Sequence, residues 1–531
     1  MHHFLKMSPM GYALLSGSVL LHIGLILLFI FGVLPLGTAD FVFFLFLSIL
    51  ATMYRPGWMF LLLLSVLPLE IVNMAPTTFG IDIRPYQFLE VSMLVGLLVR
   101  GLLKKTLPPF PSLGFGDAFL LAIPAGAFLS IFVSDTPETS FKLALVLSSF
   151  GGIFLLARLY IQSKEDVYRV FPFIFASGLV TLGFSLFQGI RSTLSLDAFE
   201  VMPGRPNALF PEPDWLGMYI VFFGALIFSL GIWLYGHRRQ EENHSARRGM
   251  GAVFFFALAL VFTVLLLTVS RSAWLGMFAS LIIFGGISTY IYRNVRFFWI
   301  LVAQVAGSFL LALLFVIFIP LTAFDLSGRA GSIVSGDQKI TVSCDSKDTA
   351  LPRVLHDMSE LSKNNCRHID IEQIEAEKAA GHAVLTIFRP DPNVEIRKDI
   401  YTTSIQKIKE HPYLGIGWGG ISAILGTDER GAGLNASNVF LEVWLGSGLL
   451  GLIGLVSFLF VSWSRFLRQI WKEKDALVLT EDSIFAIFFL SVIPGIIVFD
   501  LFNSGILLGF LWALFAVALV RIEKREVSEQ S

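Results

Sequence analysis

Long apolar runs separated by short polar loops dominate this sequence and restrict the folds that are open to it. Only 15% of the residues are charged and 55% are hydrophobic, whereas a soluble globular protein carries about a quarter of its residues as Asp, Glu, Lys and Arg. This shortage of charge excludes a cytosolic enzyme, a disordered chain and a nucleic-acid-binding module. The 52 Phe and 10 Trp suit lipid contact and the membrane interfaces. The sequence therefore predicts a polytopic membrane protein.

A membrane-spanning helix needs about 20 apolar residues, and about fourteen segments qualify. The second and third are short, and a re-entrant hairpin there would reduce the number of crossings to about twelve. We thus predict an all-α membrane protein with about 12–14 transmembrane helices. The segments are 11–34, 39–54, 57–73, 85–103, 116–134, 141–161, 168–190, 213–236, 250–269, 272–292, 297–322, 436–464, 482–499 and 504–520.

The charges are concentrated in one place. The stretch from Asp325 to Arg430 holds about 13 basic and 16 acidic residues, out of 39 basic and 40 acidic in the whole chain. We therefore predict three parts: transmembrane helices in residues 1–322, a soluble α/β insertion in 323–435, and transmembrane helices with a tail in 436–531.

The short loops predict how the chain is oriented. Lys and Arg mark cytoplasmic loops, and with an internal N-terminus every alternate loop is rich in them. Both termini are then cytoplasmic, and the insertion 323–435 is extracytoplasmic. The outer loops carry few basic residues; outside the insertion these are Arg84, Arg191, Arg205 and Arg271.

Three arginines of the outer side stand out because charge at membrane depth is costly and often functional. Arg205 precedes a helix in RPNALFPEPDWLGMYI, and Arg271 lies at a tight turn in SRSAWLGMF. Arg397 lies where the insertion returns to the membrane. For Arg205 and Arg271 the alternative is a side chain that snorkels to lipid phosphate, and for Arg397 it is an ordinary solvated charge.

Four motifs in order resemble the O-antigen ligase and polymerase superfamily of the bacterial envelope. They are RPNALFPEPDWLGMYI, SRSAWLG, an arginine-led helix ending in HPYLGIGWG, and ASNVFLEVWLGSGLLGLIGL. The resemblance covers residues 200–460 and implies a multispanning glycosyltransferase. Such an enzyme moves glycan from a polyprenyl-pyrophosphate carrier onto an acceptor hydroxyl. Arg271 and Arg397 match the family's functional arginines, and Arg205 joins them.

The chemistry agrees with that resemblance. Arginine stays charged and binds phosphate oxygens through two parallel hydrogen bonds, so it would stabilise charge that grows on the pyrophosphate as the sugar leaves. No cofactor or metal is predicted, because the sequence has no HExxH or CxxC motif and its histidines are scattered.

The last motif departs from the family pattern. Many ligases have His-Asn where this chain has Ser437-Asn438, and that histidine is thought to activate the acceptor hydroxyl. Serine cannot act as a general base near neutral pH, which favours a polymerase or a divergent transferase. His411, Glu410, Glu212 and Asp214 are possible replacements. Because His411 precedes a proline, we favour a role at the end of a helix over a role as a base.

The insertion has its own pattern. Strand-like residues 339–344 and 383–388 flank helical stretches at 352–365 and 369–382, and residues 393–411 predict a helix along the membrane surface with Arg397 facing the site. The insertion would grip the acceptor or act as a passive lid. Gly415, Gly417, Gly419 and Gly420 predict a flexible re-entry segment with NH groups near the phosphates, and the glycines of GSGLLGLIG predict close helix packing.

The chain has only two cysteines, Cys344 and Cys366, and both lie in the outer insertion. Oxidising compartments favour pairing, so we predict a disulfide between them.

The sequence thus predicts a transferase of lipid-linked glycan in the bacterial inner membrane, acting in O-antigen or exopolysaccharide polymerisation or ligation. Its partners would be a polyprenyl-pyrophosphate-linked glycan, membrane lipids, and an acceptor that is a glycan, a lipid A core or a protein hydroxyl. The alternative is a transporter or flippase for the same lipids. Transfer is favoured because no internal repeat is evident and the notable arginines share one face.

Overall fold

The computed structural model describes residues 8–238, 244–292, 295–319, 337–345, 354–355, 359–369, 374–390, 392–427, 433–473 and 481–530. The helices before the insertion are α1 (Pro9–Ile30), α2 (Thr38–Tyr54), α3 (Pro56–Ser65), α4 (Pro85–Leu102), α5 (Phe115–Ser130), α6 (Pro137–Tyr160), α7 (Lys164–Thr193), α8 (Pro213–Arg238), α9 (His244–Leu267), α10 (Arg271–Tyr292) and α11 (Val295–Phe318).

The insertion contains β1 (Asp337–Cys344), α12 (Ser359–Lys363), β2 (Cys366–His368), α13 (Ile374–Ala379), β3 (Ala383–Pro390), α14 (Pro392–Glu410) and α15 (Trp418–Leu425). The chain then continues through α16 (Val439–Glu473), α17 (Glu481–Asp500) and α18 (Gly509–Gln530).

The predicted fold class is confirmed: the protein is a polytopic, all-α membrane protein with one small sheet. Each of the fourteen predicted segments contains a helix. Within the described residues, nine helices are long and apolar enough to cross a membrane, judged by length and composition alone. They are α1, α5, α6, α7, α8, α10, α11, α16 and α17.

The third predicted segment, 57–73, is helical only in its first half. Helix α3 ends at Ser65 after 10 residues, a length of about 15 Å. The chain then reaches α4 through a connection that contains only a short 3-10 helix, Thr77–Phe79. Much of this connection is buried, with Val66, Leu69 and Val72 fully enclosed. Irregular backbone at membrane depth is tolerated where protein surrounds it. Hydropathy alone does not separate such a segment from a helix.

Small residues allow the helices of the body to approach closely. Helix α5 packs along α16, where Ser130 Oγ donates to the Gly446 carbonyl oxygen at 2.7 Å. Helix α10 crosses α17 at two glycines, since a Cβ on Gly276 would come within 2.6 Å of the Gly495 carbonyl oxygen. These contacts join the last helices of the chain to helices that precede the insertion.

The insertion contains a three-stranded antiparallel sheet in the order β2-β1-β3. Ile340 and Val342 of β1 pack with Leu355, Leu361 and Ile387 in a small core of their own. Cys344 pairs directly with Cys366 on the neighbouring strand, and a disulfide joins the two residues.

The predicted elements of the insertion differ in length from those observed. The two predicted strands and the helix at 393–411 lie within one or two residues of β1, β3 and α14. The predicted helices 352–365 and 369–382 contain the shorter α12 and α13, and parts of both stretches lie outside the described residues. The sequence analysis missed β2, because three residues are too few for an alternating pattern. The proposed boundary at 322/323 also lies outside the described chain, and the three-part division stays a prediction.

Candidate functional site

One end of the helical body gathers polar residues from five separate parts of the chain. Most of them lie at helix starts, helix ends or connections, and Arg397 and Tyr401 lie within α14. We call this set the arginine cluster. Its members are Arg205, Asp214, Ser270, Arg271, Ser272, Arg397, Tyr401, Ser437, Asn438, Leu501, Phe502 and Asn503.

Arg205 is fixed by a carboxylate and a backbone carbonyl. Its Nη2 donates to Asp214 Oδ2 at 3.2 Å, and its Nε donates to the Thr268 carbonyl oxygen at 3.0 Å. The side chain is only 13% exposed. Arg205 therefore joins the start of α8 to the turn between α9 and α10, and part of its charge is neutralised by Asp214.

A tight turn of the backbone precedes Arg205. Glu200 Oε2 accepts a hydrogen bond from the Gly204 amide at 2.8 Å, and the Arg205 amide donates to the Met202 carbonyl oxygen at 3.1 Å. Burial raises the pKa of Glu200 to about 7. Glu200 thus closes the turn that presents Arg205.

The SRS motif forms the turn between α9 and α10. Ser270 Oγ accepts a hydrogen bond from the Ala273 amide at 3.3 Å, which caps the start of α10. The same hydroxyl donates to Asp214 Oδ1 at 2.5 Å and lies 3.1 Å from Ser272 Oγ. Arg271 is the first residue of α10 and is half-buried. The two buried serines thus hold the turn in place on either side of Arg271.

Arg397 lies on α14 and packs against the connection between α17 and α18. Its Nη2 donates to the Phe502 carbonyl oxygen at 3.2 Å, and its guanidinium carbon lies 5.6 Å from the centre of the Phe502 ring. Within the described chain, no carboxylate oxygen lies within 4.0 Å of this guanidinium. In contrast to Arg205, Arg397 therefore keeps a positive charge that can attract an anion.

Tyr401 lies one turn after Arg397 and joins two segments. Its hydroxyl is 3.2 Å from the Ser437 carbonyl oxygen and 3.1 Å from the Leu501 carbonyl oxygen. Burial raises the pKa of Tyr401, so the phenol stays a hydrogen-bond donor.

Asn438 caps the start of α16. Its Oδ1 accepts hydrogen bonds from the Phe440 and Leu441 amides at 3.0 and 3.2 Å, and its Nδ2 donates to the Leu501 carbonyl oxygen at 3.2 Å. Ser437 precedes it with a φ of 49° and contacts the cluster through its main chain. The Ser437-Asn438 pair thus holds the start of the helix and the α17–α18 connection together.

The α17–α18 connection, which the sequence analysis missed, is central to the cluster. Leu501 and Phe502 offer their carbonyl oxygens to Asn438, Tyr401 and Arg397, and Asn503 Nδ2 donates to Ser272 Oγ at 2.7 Å. The only signal in the sequence was a short polar stretch, DLFNS, between two apolar segments.

His411 does not join the cluster. It lies one residue beyond the end of α14, is exposed, and precedes Pro412. Fourteen residues of helix separate it from Arg397, a distance of about 21 Å. Glu410 is also exposed, and Lys407, whose Nζ lies 2.7 Å from Glu410 Oε2, lowers the pKa of that carboxyl. These positions agree with a role of His411 at the end of the helix.

The glycine run packs against the helical body, and the amides of its four glycines donate to protein acceptors. The Ile416 and Gly417 amides donate to the Leu445 carbonyl oxygen at 2.8 and 3.2 Å, and the Gly419 amide donates to Ser140 Oγ at 3.0 Å. The run lies across α16 where Gly448, with a φ of 66°, interrupts the helix. The third and fourth motifs therefore pack directly on each other.

No metal centre is evident in the described part of the chain, where no three or more His, Cys, Asp and Glu residues are grouped to hold an ion. The groups that could bind a charged ligand in the cluster are its arginines.

Comparison with known families identifies one match. Residues 256–456 match the family described as O-antigen ligase. A comparison with curated proteins finds no match. The matched range contains Arg271, Arg397, Ser437 and Asn438, whereas Arg205 and the α17–α18 connection lie outside it. This match to the O-antigen ligase domain supports the resemblance of the chain to the O-antigen ligase and polymerase superfamily.

Proposed function

We propose that this protein transfers glycan from a polyprenyl-pyrophosphate carrier to an acceptor hydroxyl at the outer face of the bacterial inner membrane. The family match implies membrane activity of the O-antigen ligase or polymerase type. The observation that carries the finer proposal is that Arg205, Arg271 and Arg397 come from distant parts of the chain to one end of the helical body.

The orientation that places this end outside follows from the Lys and Arg bias of the loops. Both termini are then cytoplasmic, and the sheet-bearing insertion lies in the same outer space as the cluster. A carrier anchored in the outer leaflet holds its pyrophosphate at the membrane surface. A cationic site at the helix ends would meet it there.

Arg397 is the residue best suited to receive the pyrophosphate, because a carbonyl oxygen and an aromatic ring hold it without neutralising its charge. When the bond between the sugar and the pyrophosphate breaks, the leaving group gains one negative charge. A preorganised guanidinium would stabilise that charge more strongly in the transition state than in the bound donor. Arg271 would act with it from the start of α10.

Within this reaction class, we favour a polymerase over a ligase because serine replaces the histidine expected at position 437. A polymerase transfers the growing chain to a second lipid-linked repeat unit. A ligase transfers it to a lipid A core or a protein hydroxyl. Offering the purified protein each acceptor in turn would separate the two.

The test uses the full chain in lipid nanodiscs with polyprenyl-pyrophosphate-linked glycan. We expect Arg397→Ala to lower the transfer rate by about 10²–10³-fold, the effect of losing one strong oxyanion-stabilising group. Arg397→Lys should recover little, because an ammonium cannot make two parallel hydrogen bonds to phosphate. Lys398→Ala, which removes the adjacent exposed charge, is the matched control and should be as active as wild type.

Wild-type transfer rates from both Arg397 variants would contradict the proposed role of the cluster. A purified wild-type protein that moves the lipid-linked glycan between leaflets, and forms no new glycosidic bond, would support the flippase alternative instead.

A further inference from the structure

The proposed transfer requires a group that accepts the proton of the acceptor hydroxyl, and the structure distinguishes the candidates. Ser437 cannot do so near neutral pH. Glu410 and His411 lie exposed at the far end of α14. Both carboxylate oxygens of Asp214 contact members of the arginine cluster.

Two other carboxylates near this end of the body, Asp500 and Glu442, are sealed inside it. Asp500 is 3% exposed and accepts the Gly505 amide, and Glu442 is 7% exposed and accepts the Ala436 amide. The side chain of Asp214, in contrast, is 24% exposed. Each of its oxygens has one partner in the cluster and can accept a further hydrogen bond. An acceptor hydroxyl can therefore reach Asp214, whereas Asp500 and Glu442 are closed to it.

The hydrogen bonds around Asp214 run in one direction. Asn503 Nδ2 donates to Ser272 Oγ, so the Ser272 hydroxyl is free to donate to Ser270 Oγ. Ser270 in turn donates to Asp214 Oδ1. Both hydroxyl protons then point towards the carboxylate, which is the end of the chain of hydrogen bonds. Arg205 binds the other oxygen and holds the carboxylate in place.

We propose that Asp214 is the general base of the glycan transfer and that Arg205 is a positioning residue, which acts by orienting Asp214. This inference rests on the proposed function and assigns the group that replaces the missing histidine. It also gives Arg205 a different task from Arg397, which binds the pyrophosphate.

The step balances with these groups alone. The acceptor oxygen forms a bond to the anomeric carbon of the donor glycan, and the bond from that carbon to the pyrophosphate oxygen breaks. The electron pair leaves with the pyrophosphate. The hydroxyl proton moves directly to the Asp214 carboxylate and later passes to water.

The test compares Asp214→Asn and Asp214→Ala in the full chain in nanodiscs. The donor is polyprenyl-pyrophosphate-linked glycan extracted from cells that lack this protein. Loss of a general base should lower transfer to a hydroxyl acceptor by about 10²–10⁴-fold. Azide is an anionic nucleophile with no proton to remove, so we expect the Asp214→Ala protein with azide to release glycosyl azide. Arg397→Ala, which lacks leaving-group stabilisation, should not be rescued by azide.

Asp197→Asn removes an exposed carboxylate from the segment that precedes Arg205 and serves as the control, with wild-type activity expected. Thermal melting in detergent checks that each variant is folded. Wild-type transfer by Asp214→Asn would overturn the inference and leave the transferase proposal intact. An inactive Asp214→Ala protein that azide does not rescue would also overturn it, since Asp214 would then only hold Arg205. A wild-type protein that forms no product would overturn both.

Discussion

Asn438 makes two structural contacts within the arginine cluster. Its amide oxygen caps α16 and its amide nitrogen binds the Leu501 carbonyl oxygen. Both contacts are structural. They hold the start of α16 against the α17–α18 connection, which Arg397 also contacts. Ser437 likewise contributes main-chain groups, with its carbonyl oxygen near the Tyr401 hydroxyl.

We expect different effects from substitutions at Ser437 and at Asn438. Ser437→Ala keeps the main-chain contacts, so we expect transfer close to that of wild type. Asn438→Ala removes the cap and should lower the free energy of unfolding by about 1 kcal/mol, with a slower transfer. Asn438→Asp keeps an acceptor for the cap but loses the donor to Leu501, which separates the two tasks. Thermal melting and transfer assays measure both effects, and an inactive, well-folded Ser437→Ala protein would contradict this assignment.

At the scale of elements, the interruption of α16 links two motifs. The helical geometry of α16 is interrupted at Gly448, and the next residue, Leu449, donates its amide hydrogen to the Tyr413 carbonyl oxygen at 2.9 Å. Trp418 Nε1 donates to Ser447 Oγ at 2.9 Å, and Trp444 Nε1 donates to the Pro412 carbonyl oxygen at 2.8 Å. The chain that follows α14 is thereby fixed against the helix that follows the insertion.

Gly448→Ala tests this contact. At a φ of 66° an L-residue is strained by about 1–2 kcal/mol, and the added Cβ would meet the Tyr413 carbonyl oxygen. We expect a lower melting temperature and a loss of transfer. Gly183→Ala is the matched control, because nothing lies within 4 Å of its added Cβ, and its melting temperature should not fall, since alanine favours a helix more than glycine does. An equally stable Gly448→Ala protein would show that the close approach is dispensable.

A second element-scale contact fixes α13 to the sheet of the insertion. Glu377 accepts hydrogen bonds from Ser343 Oγ at 2.7 Å and from Arg367 Nη2 at 2.8 and 3.0 Å, and its Oε2 lies 2.8 Å from His382 Nδ1. The bonds from Arg367, with those from Ser343 and His382, lower the pKa of Glu377 from 4.5 to about 2.

This shift predicts how the insertion responds to acid. Because the folded state lowers the pKa, its stabilising effect is fully present above about pH 4.5 and is lost as the pH falls towards 2. Hydrogen exchange of β1 and β3, corrected for the intrinsic effect of pH, should show protection that falls over this range. Glu377→Gln should exchange faster at pH 6 and depend less on pH. Glu360→Gln should behave as wild type, and an identical pH dependence in both variants would refute the assignment.

For the whole molecule, the sequence was enough to predict the helical membrane body and the small sheet of the insertion. Those features depend on the hydropathy and charge of each segment, which the sequence gives without knowledge of how the helices pack. It could not predict that Leu501 contacts Asn438, or that Asn503 contacts Ser272 across 231 positions. Such contacts depend on which helices pack together, and a carbonyl oxygen gives no sequence signal. For the same reason, the sequence could not choose Asp214 among its four candidate bases.

The α17–α18 connection has a consequence for exchanging parts between relatives. The family match ends at residue 456, yet Arg397, Tyr401 and Asn438 all rest on Leu501 and Phe502. In a hybrid that receives only residues 256–456 from a relative, the residues from that relative would pack against an α17–α18 connection with which they do not normally occur. We expect such hybrids to be active only when α17 and α18 are transferred together with that segment. The part of the chain that must be exchanged as one unit is therefore larger than the matched domain.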